Sequence, residues 1–143
     1  MKKLFVIVTA IFTLSLVSCE KETLVPETEL PKEITTYIQE HFRETAVVQS
    51  VKETELADKS WEVYLEGGVL LKFNKSRKIT DIESMSVLPE SVVPQKIREY
   101  VATKYPGNFI RSWELDDRNQ QVELDSGLEL EFTMGGDFLR IDL

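Results

Sequence analysis

Apolar positions along the chain change period three times, from helical to strand-like spacing, back to helical, and to strand-like again. Ile34, Tyr37, Ile38 and Phe42 follow the i, i+3, i+4, i+8 spacing of one helical face, and Ile97, Tyr100, Val101 and Tyr105 repeat it 63 positions later. Each set follows a proline, Pro31 or Pro94, placed where a first helical turn tolerates a missing N–H and a fixed φ. The spacing predicts one helix from Pro31 to about Phe42 and a second from Pro94 to about Lys104, where Tyr105-Pro106-Gly107 stops it. Leu88 to Ser91 reads as a linker, because a helix begun at Pro89 would hold Pro94 in its interior at a cost of about 3 kcal/mol.

After each helix the period falls to two, beginning with Val48 to Val51 and with Ile110 to Trp113. Trp61, Val63 and Leu65 then alternate with Glu62, Tyr64 and Glu66, and Gly67-Gly68 turns the chain into Val69, Leu71 and Phe73, which alternate with Leu70 and Lys72. In the second half Val122 and Leu124 alternate with Gln121, Glu123 and Asp125. Beyond Ser126-Gly127, Leu128, Leu130 and Phe132 alternate with Glu129, Glu131 and Thr133. A last strand in each half carries Ile79 with Ile82, or Phe138 with Ile141. Hairpin positions match at a shift of 59, so the four-residue difference from the helices falls between each helix and its first hairpin. Strands with one apolar face need a cover, and the preceding amphipathic helix can supply it. The expected fold class is α+β: a tandem repeat of one helix followed by a four-stranded antiparallel sheet, with the helices packed on one sheet face. Edge-to-edge joining of the two sheets would give a curved surface of about eight strands, which periodicity alone leaves open.

Lys2 and Lys3 precede an uncharged, mostly apolar run from Leu4 to Val17, too short for an ordinary membrane span and suited to a signal peptide. The run ends in Leu16-Val17-Ser18-Cys19, which resembles a bacterial lipobox. Cys19 is the only cysteine, which excludes an internal disulfide and makes a lipid-attachment point its best reading. The predicted organisation is a signal peptide over 1–18, a flexible linker over 19–29 after lipidated Cys19, a first unit over 30–87 and a second over 88–143. Attached acyl chains would tether the protein to a membrane without spanning it, in the cell envelope and facing the periplasm or the cell surface. Loss of residues 1–18 removes two lysines and no acids, leaving 15 basic and 25 acidic side chains and a formal charge of −10. That balance disfavours nucleic acid and anionic headgroups, so the membrane is engaged through the lipid alone and a basic protein or peptide is the easier partner. Surplus acid also serves solubility.

His41 is the sole histidine, so Ser-His-Asp or Cys-His catalysis would have to run through it, and a zinc site of histidines and cysteines cannot be built. No catalytic residue, metal ligand or cofactor is assigned. Asp116-Asp117-Arg118-Asn119 reads as a polar turn, lacking the alternation and later glutamate of a calcium loop. Trp61 and Trp113 fall on the apolar sides of their strands, where core packing is expected. The candidate partner-binding residues lie on the polar faces: Glu123, Asp125, Glu129 and Glu131 in the second half, and Glu62, Tyr64, Leu70 and Lys72 in the first. Like charges on adjacent strands repel by a few tenths of a kcal/mol, roughly, per pair, which a cationic partner would relieve.

The motif Pro94-x-x-Ile97-x-x-Tyr100-Val101-x-x-x-Tyr105-Pro106, the strands Val122-x-Leu124 and Leu128-x-Leu130-x-Phe132, and Gly135-Gly136 before Phe138 resemble the PepSY-like family of bacterial lipoproteins, described as β-lactamase-inhibitor-like. The resemblance covers about residues 30 to 143, and the first half departs from it with Phe42-Arg43 in place of Tyr-Pro and Ser76-Arg77 in place of the glycine pair. It implies helix-on-sheet units, extracytoplasmic placement and binding without catalysis. Inhibition of β-lactamase itself is not implied, since no contact motif can be matched, and folds host unrelated functions. The expected function is a noncatalytic, lipid-anchored binding module that presents a sheet face to an unknown protein or peptide, with regulation of a secreted hydrolase as one form of that binding. A structural or assembly lipoprotein of the envelope is the alternative, and an enzyme acting through carboxylates comes last.

Overall fold

In the computed structural model, which describes residues 21–55 and 58–142, each strand pairs antiparallel with its neighbour in sequence. The strands are β1 (Lys21–Leu24), β2 (Val47–Glu55), β3 (Asp58–Leu65), β4 (Val69–Phe73), β5 (Ile79–Glu83), β6 (Ile110–Leu115), β7 (Asn119–Leu124), β8 (Glu129–Thr133) and β9 (Phe138–Asp142). Helix α1 (Lys32–His41) lies between β1 and β2, and α2 (Gln95–Lys104) between β5 and β6. The signal-peptide and lipidation assignments on residues 1–19 lie outside the described residues.

Among the described residues, two helices and one nine-stranded antiparallel sheet, in the order β1 to β9, correct the expected architecture of a tandem repeat of a helix and a four-stranded sheet with helices packed on one sheet face. The sheet does not stop at β5. Asp81, Ile82 and Glu83 pair with Glu114, Trp113 and Ser112, so β5 and β6 join the two halves instead of standing as two separate sheet edges. A second difference concerns residues 19–29, read as a flexible linker. Lys21–Leu24 instead forms β1 against Val51–Thr54, and Glu27–Glu29 forms a single 3-10 turn. Ser50 fixes the junction: its C=O accepts from Val25 N–H at 2.9 Å and its Oγ donates to Val25 C=O at 2.6 Å. Lys21 to Leu24 carry no apolar alternation, so backbone pairing to an existing edge, rather than side-chain burial, makes this strand.

Pro31 and Pro94 are extended, with ψ near 143° and 137°, and sit just before the first helical residues. Each helix ends on an aromatic whose N–H still donates to the helix: Phe42 to Ile38 C=O at 2.7 Å and Tyr105 to Val101 C=O at 2.8 Å. Pro106 explains the second stop, because proline cannot extend the ladder.

Alternation places Val63, Leu65, Leu71 and Phe73, and then Val122, Leu124, Leu130 and Phe132, in one hydrophobic cluster with Ile34, Ile38, Ile97 and Val101 of the helices. Aromatic rings complete it. Tyr37 meets Phe73 edge-on at 5.6 Å, and Tyr100 meets Phe132 edge-on at 5.4 Å while stacking on Phe138 at 4.8 Å. Burial pushes the Tyr37 hydroxyl well above its ordinary pKa. Trp113 is buried, its Nε1 donating to Gln120 Oε1 at 3.0 Å, whereas Trp61 is half-buried beneath Lys52.

Candidate functional site

Cross-strand partners share a face, so the register aligns two polar rows on the side of the sheet away from the buried strand residues. Glu62, Lys72, Asp81, Glu114, Gln121, Glu131 and Arg140 follow one another from β3 to β9. Tyr64, Leu70, Glu83, Ser112, Glu123, Glu129 and Asp142 form the second row. Where the rows cross β5 to β8, Asp81, Glu83, Ser112, Glu114, Gln121, Glu123 and Glu129 line a depression of about 240 Å³. Five of these seven side chains are carboxylates.

The charges are not evenly compensated. Arg111 pairs with Glu123, and that carboxylate raises the guanidinium's pKa. Lys72 lies 3.7 Å from Glu62, which also accepts from Tyr64 Oη at 2.8 Å and so raises the phenol's pKa. Gln121 Nε2 donates to Glu129 at 2.9 Å. Half-buried Asp81 feels first the loss of solvent and then Glu114 directly across the strand pair; Glu83 and Glu62 add to this, and only Lys72 opposes it. Its pKa is pushed up to about 6.

Folded Asp81 holds its proton more tightly than the unfolded chain, so its ionisation destabilises the fold as pH rises from about 4 through about 6. Asp81→Asn is expected to melt above the native chain at about pH 7.5, with the gap closing near pH 4. Circular-dichroism melts at both pH values check this, and equal midpoints at the higher pH would contradict it.

The structure brings some of the sequence-derived residues together and separates others. Glu62, Tyr64, Leu70 and Lys72 are neighbours on β3 and β4, and Glu123 and Glu129 stand opposite each other in the depression. Glu131 shares that face but is buried, its oxygens engaged by Asn119 and Arg140. Asp125 leaves the strand altogether. It accepts from Asn108 Nδ2 and Phe109 N–H, both at 3.0 Å, which holds its pKa down and makes it a loop brace. Asp81, Glu83 and Glu114 were missed by sequence reasoning. Alternation around Ile82 and Trp113 could have put them on the polar face, but their grouping depends on the β5–β6 pairing.

His41 has a structural setting, with Nδ1 2.9 Å from Ser91 Oγ and its ring 4.4 Å from that of Tyr37. Among the described residues, no group of three or more His, Cys, Asp or Glu side chains is arranged to hold a metal ion. A separate, mostly apolar concavity of about 340 Å³ runs beside α2 and includes Val87, Val93, Val101 and Phe109, with Arg98 held by Glu90 at 3.1 Å.

A family model described as "Putative beta-lactamase-inhibitor-like, PepSY-like" matches residues 15–81 and again residues 59–140. No curated protein matches the chain. Among solved structures, a "putative periplasmic protein" of the DUF2874 family from Bacteroides vulgatus is similar at 32% identity and a TM-score of 0.79, over 85% of this chain and 97% of that one. A "putative calcium-regulated periplasmic protein" from Bacteroides thetaiotaomicron is similar at 25% identity and a TM-score of 0.80, over 85% and 97% of the two chains. A further Bacteroides vulgatus protein, a "putative periplasmic protein of unknown function", matches at 26% identity and a TM-score of 0.80, over 86% of this chain and all of that one.

Proposed function

Because the chain belongs to the PepSY-like, β-lactamase-inhibitor-like family, we propose that it is a noncatalytic, lipid-anchored binding module whose open sheet face receives a basic segment of a protein or peptide. Its structural relatives are described as periplasmic, which supports a place in the cell envelope. One observation carries the binding reading: five carboxylates gather across β5 to β8 while, among the described residues, only Glu123 of the five is paired with an arginine. A lysine or arginine side chain entering the depression relieves that repulsion, and the flanking Tyr64 and Leu70 offer apolar contact beside it. Regulation of a secreted hydrolase is the use of such binding that the family description favours.

Calcium regulation, named for one relative, is not carried over, because the described carboxylates are not grouped as metal ligands. Lipidation at Cys19 is the anchoring step in this reading, and Cys19→Ala is expected to move the protein from the membrane fraction to the soluble envelope fraction. Unchanged membrane retention of that variant would remove the anchor from the proposal.

The partner test reverses charge where the fold does not need it. Glu83 and Glu129 are exposed and, among the described residues, form no ion pair, Glu129 accepting only from Gln121, whereas Glu131 is enclosed by its partners. Crosslinking with mass spectrometry in the native cells is expected to capture a specific partner with the native chain. Capture should fall about tenfold with Glu83→Lys plus Glu129→Lys, since two favourable contacts become repulsive. Identical capture by equal amounts of both proteins would sink the acidic-face reading.

A further inference from the structure

Strand β9 closes one end of the sheet and, among the described residues, pairs only with β8. Thr133 N–H donates to Asp137 C=O at 2.8 Å, which fixes the phase of that hairpin. Two-residue alternation then directs the backbone groups of Glu131 and Glu129 at β9, making Glu131–Arg140 and Glu129–Asp142 the hydrogen-bonded pairs. The N–H and C=O of Ile141 consequently face outward, at the free edge. Its side chain is also left open: Ile141 is 42% exposed although it stands opposite Leu130, which is completely buried. A strand laid along this edge would satisfy the backbone groups and cover the isoleucine.

We propose that the occupant is β9 of a second copy of this chain, paired antiparallel about a twofold axis through Ile141. A twofold contact must be self-complementary, and the sequence of β9 meets that condition in one register. With Ile141 opposite Ile141, each Arg140 faces the Asp142 of the other copy, and the arginine and aspartate lie on the polar face while the isoleucines meet on the apolar one. The outward backbone groups of the two Ile141 residues then form a reciprocal hydrogen-bonded pair. Sliding by two residues in i plus j keeps the hydrogen-bond phase but sets Arg140 against Arg140, so charge selects the first register. The outcome is one continuous sheet running through two molecules, with both acidic depressions on the same side.

The contact is short, pairing only Arg140, Ile141 and Asp142 within β9 of each copy, so association is expected to be weak in dilute solution and favoured where copies are concentrated. Cysteine crosslinking of the full chain in cell envelopes reads it directly. Ile141→Cys should give a disulfide-linked dimer on mild oxidation, because a hydrogen-bonded antiparallel pair separates its Cα atoms by about 5.5 Å, within disulfide reach. The native chain controls for Cys19, and Asp117→Cys, on an exposed turn, should not exceed it. Adding Asp142→Arg to Ile141→Cys should cut dimer yield several-fold by opposing arginines at both ends of the pair. The proposal is overturned if Ile141→Cys stays monomeric, if Asp117→Cys crosslinks equally, or if Asp142→Arg leaves the yield unchanged. Pairing of β9 with β1 of the next copy would also leave Ile141→Cys without a symmetric dimer, and so overturns it too.

Discussion

Phe132→Ala is expected to lower the free energy of unfolding by about 3 to 5 kcal/mol, read as a lower urea midpoint at an unchanged slope. Phe132 is completely buried on β8, opposite Gln120 on one side and Phe138 on the other. Its ring meets Tyr100 edge-on at 5.4 Å and Phe138 at 5.8 Å, while Tyr100 and Phe138 stack on each other. Removing it takes away apolar burial and two aromatic contacts together, and the remaining rings are held by α2 and β9, elements that cannot both collapse into the vacated space. Phe73 is the useful comparison. It is nearly as buried but meets one ring, Tyr37, so Phe73→Ala should lose somewhat less. A loss under about 1 kcal/mol for Phe132→Ala would mean that the aromatic group does not organise this core.

Gln120→Ala is expected to cost about 2 to 3 kcal/mol, although it removes no large apolar surface. Gln120 is almost completely buried on the apolar side of β7. Its Oε1 accepts from Trp113 Nε1 at 3.0 Å, and its Nε2 donates to the carbonyls of Thr133 and Met134 at 3.2 and 3.0 Å. The amide therefore links β6 to the β8–β9 turn through the core. The two carbonyls lie near an exposed turn and can recover water, but the buried indole N–H cannot, and its unmet hydrogen bond makes up most of the cost. Gln120→Leu, which keeps volume, should recover little for the same reason. Urea unfolding followed by tryptophan fluorescence tests this, and a near-neutral Gln120→Leu would show that Trp113 finds another acceptor.

The periods of the sequence were readable because burial enforces them. Val63, Leu65, Leu71 and Phe73 turned inward as the alternation required, and so did Val122, Leu124, Leu130 and Phe132. Assembly of the strands was not readable, because pairing between β5 and β6 leaves no periodic trace and even sets Asp81 against Glu114. Strand β1 was hidden for a related reason: its side chains are all exposed, so nothing in Lys21 to Leu24 distinguishes an edge strand from a polar linker. In the candidate site, alternation placed Glu123 and Glu129 side by side. It could not show that Asp125 falls beyond the strand end, nor that Arg140, opposite Glu131 across the β8–β9 hairpin, would enclose that carboxylate.

The β5–β6 junction is narrow. Three residue pairs make it, joined by Ser84 N–H to Arg111 C=O at 2.9 Å and Leu88 N–H to Ile110 C=O at 3.0 Å. On one face Ile82 and Trp113 meet, and on the other two carboxylates push apart. Such a junction is a fault line: a fluctuation that parts the sheet should run along it. A cation lodged between Asp81 and Glu114 would act as a rivet across that line. Recognition would then stiffen the molecule, and occupancy would be recorded as slower amide exchange along β5 and β6, at bonds the ligand never touches.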